Sequence, residues 1–312
     1  MPFIELLRCH IKTPFVTAFA YGSGVFKQKQ TEMTAVSDKI SKMIDYLVVV
    51  RDAELSEWHE NNSKVNPLDY PILGKLAVTK SKLFDGAVYY VPNVSVSGGK
   101  KIKYGVLGWD TLLRDLYTWE SMFIAGRLQK PTIQSEIGDG EMKKVLDGAM
   151  EFNLDSALRT SVLINSRDSN DFLKVLKSVV SLSYTNDPRL MLAESPQKVE
   201  NIVRGQLKEL EALYLERYEN LKDDFGWLGD PKVRMQLISN LPLNLKTELL
   251  NGSPSLWHVA LNNEKTDLIT KAAVGRIVRR PAWRQMILGA ISTSPSTAFN
   301  YALAKVKKRF NK

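Results

Sequence analysis

FAYGSGVFKQKQ, the stretch from Phe19 to Gln30, places Gly22, Ser23 and Gly24 directly after an apolar run that is typical of a β-strand. Glycine has no side chain, so backbone N–H groups at such a turn can come close to an oxygen-rich ligand such as a phosphate. Gly-Ser-Gly also forms ordinary turns. The stretch therefore predicts a strand that ends in a turn, and its surroundings must decide what the turn does.

The segments around this turn predict a mixed sheet. Runs rich in Val, Ile and Tyr alternate with Gly, Pro, Asn and Ser, as in strands joined by loops. These runs are VTAFAY, MIDYLVVV (Met43 to Val50), GAVYYV (Gly86 to Val91) and KIKYGVL (Lys101 to Leu107). A helix is expected to begin near Asp110. Its apolar face, which would pack on the sheet, is formed by Leu112, Leu116, Trp119 and Phe123.

The middle of the chain, from about Ile133 to Leu250, has the apolar periodicity of helices. One predicted face contains Phe172, Val175, Leu176, Val179 and Val180 behind a Ser-Asn-Asp start signal. A longer one contains Val199, Ile202, Val203, Leu207, Leu210 and Tyr214. Strands followed by a run of helices indicate the α+β class.

Length and composition limit the number of domains and the kinds of metal site that the chain can have. A chain of 312 residues is long enough for about two domains. The single cysteine, Cys9, excludes an internal disulfide and a cysteine-rich zinc site, and the three histidines lie far apart in sequence. A metal is therefore expected to be held by carboxylates, as Mg²⁺ is. No apolar stretch approaches the roughly 20 residues that cross a bilayer.

The net charge of +9 is concentrated at the C-terminus. No Asp or Glu occurs from Leu268 to Lys312, where ten residues are Lys or Arg. Within Ser296–Phe310, Phe299, Leu303, Val306 and Phe310 share one helical face, and Lys305, Lys308 and Arg309 supply charge. Such a helix is typical of a membrane interface with anionic lipids. The alternative is that the apolar face packs on the body of the protein.

The order strand, Gly-Ser turn, polar segment and acid-bearing strand resembles nucleotidyltransferases of the DNA polymerase β type. There, the turn holds a triphosphate and a carboxylate on the next strand, here Asp45, holds magnesium. That type usually carries two acids one residue apart, whereas Asp45 is followed by Tyr46 and Leu47. A structural Asp at a strand end is the alternative. Candidates for a second metal ligand are Asp52, Glu54, Asp85 and Asp115.

Motifs in order along nearly the whole chain resemble the mitochondrial translocator assembly and maintenance family. They are FAYGSGVFKQ, MIDYLVVV, WHENN, IKYGVLG, RDLYTWESMFIAGRLQKP, LSYTNDPR, KVENIV and a basic tail with RRPAWRQMILGAISTSPSTAFNYALAK. Proteins of this family are mitochondrial CDP-diacylglycerol synthases, that is, phosphatidate cytidylyltransferases. The family also carries a lone Asp at the place of Asp45, so the missing second acid agrees with the resemblance.

The resemblance implies a set of site residues. Gly22, Ser23 and Gly24 would hold the CTP phosphates, Asp45 the magnesium, and Lys103 would neutralise a phosphate; Asp45, Ser23 and Lys103 form the catalytic set. Arg127 and Lys130 would contact phosphates, and Tyr184, Asp187 and Arg189 would close the site from the second domain. The structural alternatives are an exposed edge-strand lysine at Lys103, helix-dipole contacts for Arg127 and Lys130, and a loop hydrogen-bond set around Tyr184. His59 is interpreted as a structural turn residue beside Asn62, not as a general base.

The prediction for the whole chain is an enzyme that uses Mg²⁺ to make CDP-diacylglycerol and pyrophosphate from CTP and phosphatidate, for cardiolipin and phosphatidylglycerol synthesis. We expect a nucleotidyltransferase domain at 1–134, a helical domain at 135–266, for which a winged-helix arrangement is one candidate, and a basic membrane-associating region at 267–312. The resemblance implies a peripheral protein on the matrix face of the mitochondrial inner membrane, although MPFIELLRCHIKTPFV makes a poor presequence.

Two other hypotheses remain open at this point. One is a non-catalytic assembly factor for a mitochondrial translocase, against which the presence of Gly22, Ser23 and Asp45 argues. The other is a nucleotidyltransferase that acts on RNA, as the basic tail suggests. The sequence lacks the interleaved aromatic and basic residues that stack single-stranded bases, so no nucleic-acid partner is expected. The oligomeric state is not indicated.

Overall fold

The sheet has five strands and is mixed, as predicted. The computed structural model describes residues 2–26, 43–79, 87–188, 197–225, 228–262 and 265–291. The strands are β1 (Thr17–Tyr21), β2 (Ile44–Val50), β3 (Tyr89–Ser95), β4 (Lys101–Gly108) and β5 (Thr132–Gln134), in the order β3-β4-β2-β1-β5. The central pair β2–β4 is parallel, and the other pairs are antiparallel. The α+β class is therefore confirmed.

Helices precede, interrupt and follow the sheet. They are α1 (Pro2–His10), α2 (Leu55–Val65), α3 (Ile72–Thr79), α4 (Trp109–Thr118), α5 (Ala125–Leu128), α6 (Gly140–Ile164), α7 (Phe172–Ser181), α8 (Lys198–Gly205), α9 (Leu207–Phe225), α10 (Pro231–Ser239), α11 (Leu243–Leu249), α12 (Leu256–Leu261) and α13 (Thr266–Ile291). The side chains of Asp139, Asp171, Asp230 and Ser255 cap α6, α7, α10 and α12 by accepting backbone N–H groups. Among the residues that the structure describes, no helix is long and apolar enough to cross a bilayer.

The two faces of the sheet bury different sets of residues because side chains alternate along each strand. Leu47 and Val49 of β2 belong to a large apolar cluster that continues through the helices as far as α13. Tyr46 and Val48 point to the other face, where α1 and α2 contribute Leu7 and Trp58. The sheet is thus covered on both sides. The domain boundaries at 134 and 266 stay predictions.

Two predicted helical faces are shorter than the sequence pattern indicated. The helix α4 ends at Thr118, and Trp119 follows with a φ of 54°, so Trp119 and Phe123 are buried but lie beyond the helix. The carboxylate of Asp115 accepts four N–H groups of the next segment, which holds that segment as a loop. The donors are Ser121, Met122, Ile124 and Ala125. The long face from Val199 to Tyr214 is divided between α8 and α9 at Gln206. The face of α7 is confirmed.

A buried polar network lies on the face of the sheet that α1 and α2 cover. The carboxylate of Asp69 accepts a hydrogen bond from Tyr104 Oη at 2.5 Å and lies 2.6 Å from His10 Nε2. Asn62 Nδ2 donates to the hydroxyls of Tyr70 and Tyr104, at 3.1 and 3.3 Å. Each polar group in this network therefore has a protein partner, which is what a buried structural network needs.

His59 belongs to this network. It lies in α2, is buried, and its Nδ1 is 3.0 Å from Tyr70 Oη. The interpretation of His59 as a turn residue was therefore wrong. Burial lowers the pKa of His59 to about 3. The imidazole is therefore neutral at physiological pH, in keeping with a structural role.

Candidate active site

The Gly-Ser-Gly turn, Asp45 and Lys103, which were predicted to act together, lie at one end of the sheet. Asp45, near the start of β2, pairs with Tyr21 of β1 on one side and with Lys103 of β4 on the other. Tyr21 is followed directly by Gly22. The strand order thus brings the Gly-Ser-Gly turn, the carboxylate and the lysine to the same place, although they are far apart in sequence.

The two glycines of the turn have different structural reasons. Gly22 has a φ of +82°, and a Cβ there would lie 3.2 Å from Asp45 Oδ2. A Cβ at Gly24 would lie only 2.4 Å from the carbonyl oxygen of Met43, so Gly24 is needed for backbone packing. Gly22 therefore keeps the space beside the carboxylate clear, whereas Gly24 lets the turn close on β2.

The turn has the geometry of the first turn of a helix. The carbonyl of Gly22 accepts the N–H groups of Val25 at 3.1 Å and Phe26 at 3.0 Å. In such a turn the first N–H groups, here those of Ser23 and Gly24, have no acceptor within the turn and suit an anion. The chain from 27 to 42 lies outside the described residues.

Aromatic hydroxyls connect this turn to a second group of cations. Lys103 Nζ lies 4.3 Å from the centre of the Tyr90 ring, and the hydroxyls of Tyr90 and Tyr21 are 3.4 Å apart. Arg127 Nε donates to Tyr21 Oη at 3.2 Å. Burial and then the neighbouring Tyr90 raise the pKa of Tyr21 well above its ordinary value, and the charge of Asp45 adds to this shift. Tyr21 is therefore a neutral link between Asp45 and Arg127.

Arg127 and Lys130 contact neutral groups. Arg127 donates to the carbonyl of Phe123, and its guanidinium carbon is 3.9 Å from the centre of that ring. Lys130 Nζ donates to the carbonyl of Gly126 and to Ser183 Oγ, the latter at 2.9 Å. In the residues that the structure describes, neither cation forms an ion pair with a carboxylate.

The turn after α7 completes the cationic cluster. A Cβ at Gly126 would lie 2.3 Å from Ser183 Cβ, so the close approach of α5 to this turn requires glycine. Tyr184 follows Ser183, and its ring centre lies 5.1 Å from Lys130 Nζ and 5.3 Å from Lys198 Nζ. Burial and then the charges of Arg127 and Lys198 lower the pKa of Lys130 to about 7. Cations held this close together favour binding of a multiply charged anion.

A buried amide holds the segment that carries these cations. Asn153 of α6 is fully buried, and its Oδ1 accepts from Trp119 Nε1 at 2.9 Å and from Gln129 Nε2 at 3.1 Å. Its Nδ2 donates to the carbonyl of Ala125 at 3.1 Å. Arg127 lies between Ala125 and Gln129, so these bonds fix its backbone from both sides.

Asp45 is the carboxylate best placed for a metal. Asp52 accepts the N–H of Asp110 at 2.6 Å, and the Asp115 carboxylate is occupied by backbone donors, so both have structural roles. Glu54 forms an exposed ion pair with Arg51 at 3.5 Å, and Asp85 lies outside the described residues. No group of three or more metal-binding side chains occurs in the described ranges. One carboxylate fits Mg²⁺, which takes its other oxygens from phosphates and water.

The remaining predicted residues are placed differently. Tyr184 contacts the cationic cluster, whereas Asp187 is buried and its N–H donates to the Tyr184 carbonyl at 3.2 Å. Arg189 and the tail residues Phe299, Leu303, Lys305, Val306, Lys308, Arg309 and Phe310 lie outside the described residues. The sequence analysis missed Tyr21, Tyr90, Ser183 and Lys198. Tyr21 directly precedes the turn and Lys198 opens KVENIV, but only the fold shows that Tyr21 contacts Arg127 and that Lys198 lies over the Tyr184 ring.

Comparison with known proteins shows the family to which the chain belongs. The family model described as mitochondrial phosphatidate cytidylyltransferase matches residues 4–308. The chain belongs to this family. Relatives named mitochondrial phosphatidate cytidylyltransferase include those of Schizosaccharomyces pombe, 30% identical over 96% of this chain and 81% of the relative, and Caenorhabditis briggsae, 29% identical over 93% of each. The Xenopus laevis relative is 30% identical over 93% of this chain and 89% of its own length.

Membership in the phosphatidate cytidylyltransferase family confirms the resemblance drawn from the sequence motifs. The matched range includes the Gly-Ser-Gly turn, Asp45, Lys103 and the cationic cluster, so every candidate catalytic and nucleotide-binding residue lies inside it. The hypotheses of a non-catalytic assembly factor and of an RNA-directed enzyme gain no support from these relatives, whose names describe a cytidylyltransferase.

Proposed function

We propose that this chain is a phosphatidate cytidylyltransferase that converts CTP and phosphatidate to CDP-diacylglycerol and pyrophosphate on a nucleotidyltransferase-type fold. The observation that carries the proposal is the position of Asp45 between Tyr21, which precedes the Gly-Ser-Gly turn and accepts a hydrogen bond from Arg127, and Lys103. A carboxylate beside phosphate-binding groups is what transfer of a nucleotidyl group requires.

The Gly22 turn binds the CTP triphosphate through the N–H groups of Ser23 and Gly24, and Lys103 neutralises phosphate charge from the adjacent strand. Asp45 holds Mg²⁺, which supplies charge neutralisation at the α-phosphate when bound. Arg127 and Lys130 bind phosphate oxygens on the side toward Tyr184. Lys198, on the same aromatic ring as Lys130, joins this set.

The reaction is a substitution at phosphorus. A phosphate oxygen of phosphatidate attacks the α-phosphorus of CTP, a new P–O bond forms, and the bond to the oxygen bridging the α- and β-phosphates breaks. Pyrophosphate leaves with that bonding electron pair. Cations on both sides of the reacting phosphorus keep the two anionic substrates from repelling each other.

The product would serve cardiolipin and phosphatidylglycerol synthesis, with the enzyme bound peripherally to the matrix face of the mitochondrial inner membrane. The tail helix predicted from the sequence, with Phe299, Leu303, Val306 and Phe310 on one face, is the proposed anchor. Removing Ser294–Lys312 is expected to abolish sedimentation with phosphatidate- or cardiolipin-containing liposomes and to lower activity on them, while magnesium-dependent CTP binding persists. Equal liposome binding by the truncated protein would place the helix in the core.

The activity is tested with purified protein, liposomal phosphatidate, Mg²⁺ and each of the four ribonucleoside triphosphates. We expect lipid-linked nucleotide only with CTP, and one pyrophosphate for each lipid product. Product with every nucleotide, or CTP hydrolysis without lipid product, would contradict the proposal. Omission of Mg²⁺, with EDTA present, is expected to stop product formation and so tests the metal separately.

A further inference from the structure

The helix α3 exposes its large apolar side chains and buries its smaller ones, the reverse of what is usual for a helix that packs on a protein core. Its buried positions are the small or medium residues Gly74, Ala77 and Val78. Its large residues point outward: Ile72 is 80% exposed, Leu73 68% and Leu76 51%. Surface helices normally bury their large apolar residues. No contact among the described residues covers these large side chains.

The residues just before α3 extend the same exposed apolar surface. Leu68 is 97% exposed and Val65, the last residue of α2, is 54% exposed. We name the exposed residues Val65, Leu68, Ile72, Leu73 and Leu76 the α3 apolar patch. Several large exposed apolar residues that lie close together in the sequence, as these do, are typical of a binding surface for another protein or a membrane.

The charges around the patch favour an anionic partner. Lys64 and Lys75 are exposed within this segment, and Lys80 and Lys82 follow α3 in the sequence. Asp69 is the only acid between Asn61 and Phe84, and its side chain is buried and bonded to Tyr104. Apolar side chains surrounded by lysines are typical of segments that enter the interface of an anionic bilayer.

The patch lies at the end of the sheet that carries the candidate active site. Asp69, next to Leu68, bonds to the hydroxyl of Tyr104. Tyr104 follows Lys103 on β4, and Lys103 pairs with Asp45. Since neighbouring residues of a strand point to opposite faces, the patch and the carboxylate lie near the same sheet end on opposite faces.

We propose that the α3 apolar patch inserts into the headgroup region of the anionic bilayer that contains the lipid substrate, as a membrane contact separate from the C-terminal tail. The inference rests on the proposed lipid substrate, which stays in the bilayer and must be reached from its surface. Insertion at this place brings the Asp45 end of the sheet to the membrane plane.

The test replaces Ile72 and Leu73 with Glu together in the full-length protein. Both side chains are exposed, so the thermal unfolding midpoint should stay unchanged. We expect apparent affinity for vesicles of phosphatidylcholine with phosphatidate to fall at least about tenfold. The matched control is Leu243→Glu with Leu268→Glu, which changes the same charge at residues 61% and 64% exposed. The control should bind vesicles like the wild type. If the double variant fails to fold, Leu68→Ser replaces it.

A probe at Leu68 distinguishes the possible occupants. Cys9 is the single cysteine and is exposed, so Leu68→Cys in a Cys9→Ser background takes one environment-sensitive fluorophore. Insertion predicts a blue shift only when vesicles are added. A blue shift without vesicles that disappears on removal of Ser294–Lys312 would show that the tail covers the patch. A blue shift without vesicles that increases with protein concentration would show that a second copy of the chain covers the patch. Either result overturns the proposal.

Activity on dissolved short-chain phosphatidate keeps this inference separate from the proposed function. The Ile72→Glu, Leu73→Glu protein should transfer CMP to this substrate at the wild-type rate. Lack of transfer by the wild type would contradict the function, whatever the vesicles show. Vesicle binding by the double variant equal to the wild type would overturn the membrane contact alone.

Discussion

The two faces of the sheet carry polar clusters of opposite character. The face that α1 and α2 cover is called the network face, and the opposite face, with the candidate active site, is called the active face. On the network face, the Asp69 carboxylate is matched by Tyr104 and His10, and the amide of Asn62 by two tyrosine hydroxyls. On the active face, the cations of Arg127 and Lys130 contact carbonyls, hydroxyls and rings. The first cluster is balanced within the protein, whereas neither cation of the second pairs with a carboxylate among the described residues, so an anion is the expected partner.

The difference shows how a structural polar cluster can be told from a functional one in the same molecule. Tyrosines with raised pKa values occur in both clusters, so the pKa of a tyrosine does not separate them. Burial is the main cause for Tyr104 and for Tyr21 alike. The balance of charge separates them. Substitutions on the active face should therefore change kinetics, and substitutions on the network face should change stability.

The largest expected effect is that of Asp45→Asn. The amide keeps the volume of the carboxylate but loses the charge that holds the metal, so kcat/KM should fall by at least about a hundredfold. The fold should survive, because Asp45 is only partly buried. Steady-state kinetics with liposomal phosphatidate and a thermal unfolding curve measure the two quantities. Near-normal activity in the folded variant would make Asp45 a structural residue.

The glycine pair of the turn gives a sharper test within the active face. Gly22→Ala puts a methyl group 3.2 Å from Asp45 Oδ2 at a φ of +82°, so the KM for CTP should rise by roughly tenfold. Gly24→Ala places its methyl group 2.4 Å from the Met43 carbonyl oxygen, so it should mainly lower the unfolding midpoint. KM and midpoint are measured for both variants. Identical behaviour of the two would show that the turn has a single, structural role.

The network face is tested by Tyr104→Phe. This change removes the hydroxyl that donates to Asp69 at 2.5 Å and accepts from Asn62 at 3.3 Å. Loss of a partner from buried groups should lower the free energy of unfolding by about 1–3 kcal/mol. Denaturant titration measures this loss, and the KM for CTP should not change. A raised KM with unchanged stability would reverse the assignment of the two faces.

The sequence predicted the strands β1 to β4, because runs of strand-forming residues are local signals. It also singled out Asp45 as the candidate metal ligand, which stays a prediction. It could not show that Lys103 lies beside Asp45, since this depends on the parallel register of β2 and β4. The end of α4 was also missed. Leu112, Leu116, Trp119 and Phe123 have helical spacing, but the Asp115 carboxylate takes the N–H groups that a longer helix would use.

The cationic cluster was the least predictable part of the site. Lys130, Ser183, Tyr184 and Lys198 come from three separate segments, and their meeting depends on the absence of a side chain at Gly126. The resemblance marked Arg127, Lys130 and Tyr184, but it did not show that Ser183 and Lys198 lie beside them. The role of Asp52 was likewise hidden, because the N–H of Asp110 that it accepts is known only from the fold.

The smallest expected effect is a pH dependence of the free energy of unfolding that is caused by Lys130 on the active face. The pKa of Lys130 is about 7 in the folded protein and should be near its ordinary value of 10.5 in the unfolded chain. Between these values the unfolded chain holds a proton that the folded protein has released, so this residue makes stability rise with pH. Below about pH 7 both states hold the proton, and the unfavourable burial of the charge is complete.

Lys130→Met should therefore raise the unfolding midpoint by a few degrees at pH 7, with a gain that shrinks as the pH approaches 10. The exposed Lys208→Met should show no such gain. Pyrophosphate, which favours the charged lysine, should stabilise the wild type more than Lys130→Met, because only the wild type offers it that cation. Unfolding midpoints at pH 7, 8.5 and 10, with and without pyrophosphate, measure these differences. A gain that is the same at every pH would mean that Lys130 is already matched within the protein, and the active face would then be as balanced as the network face.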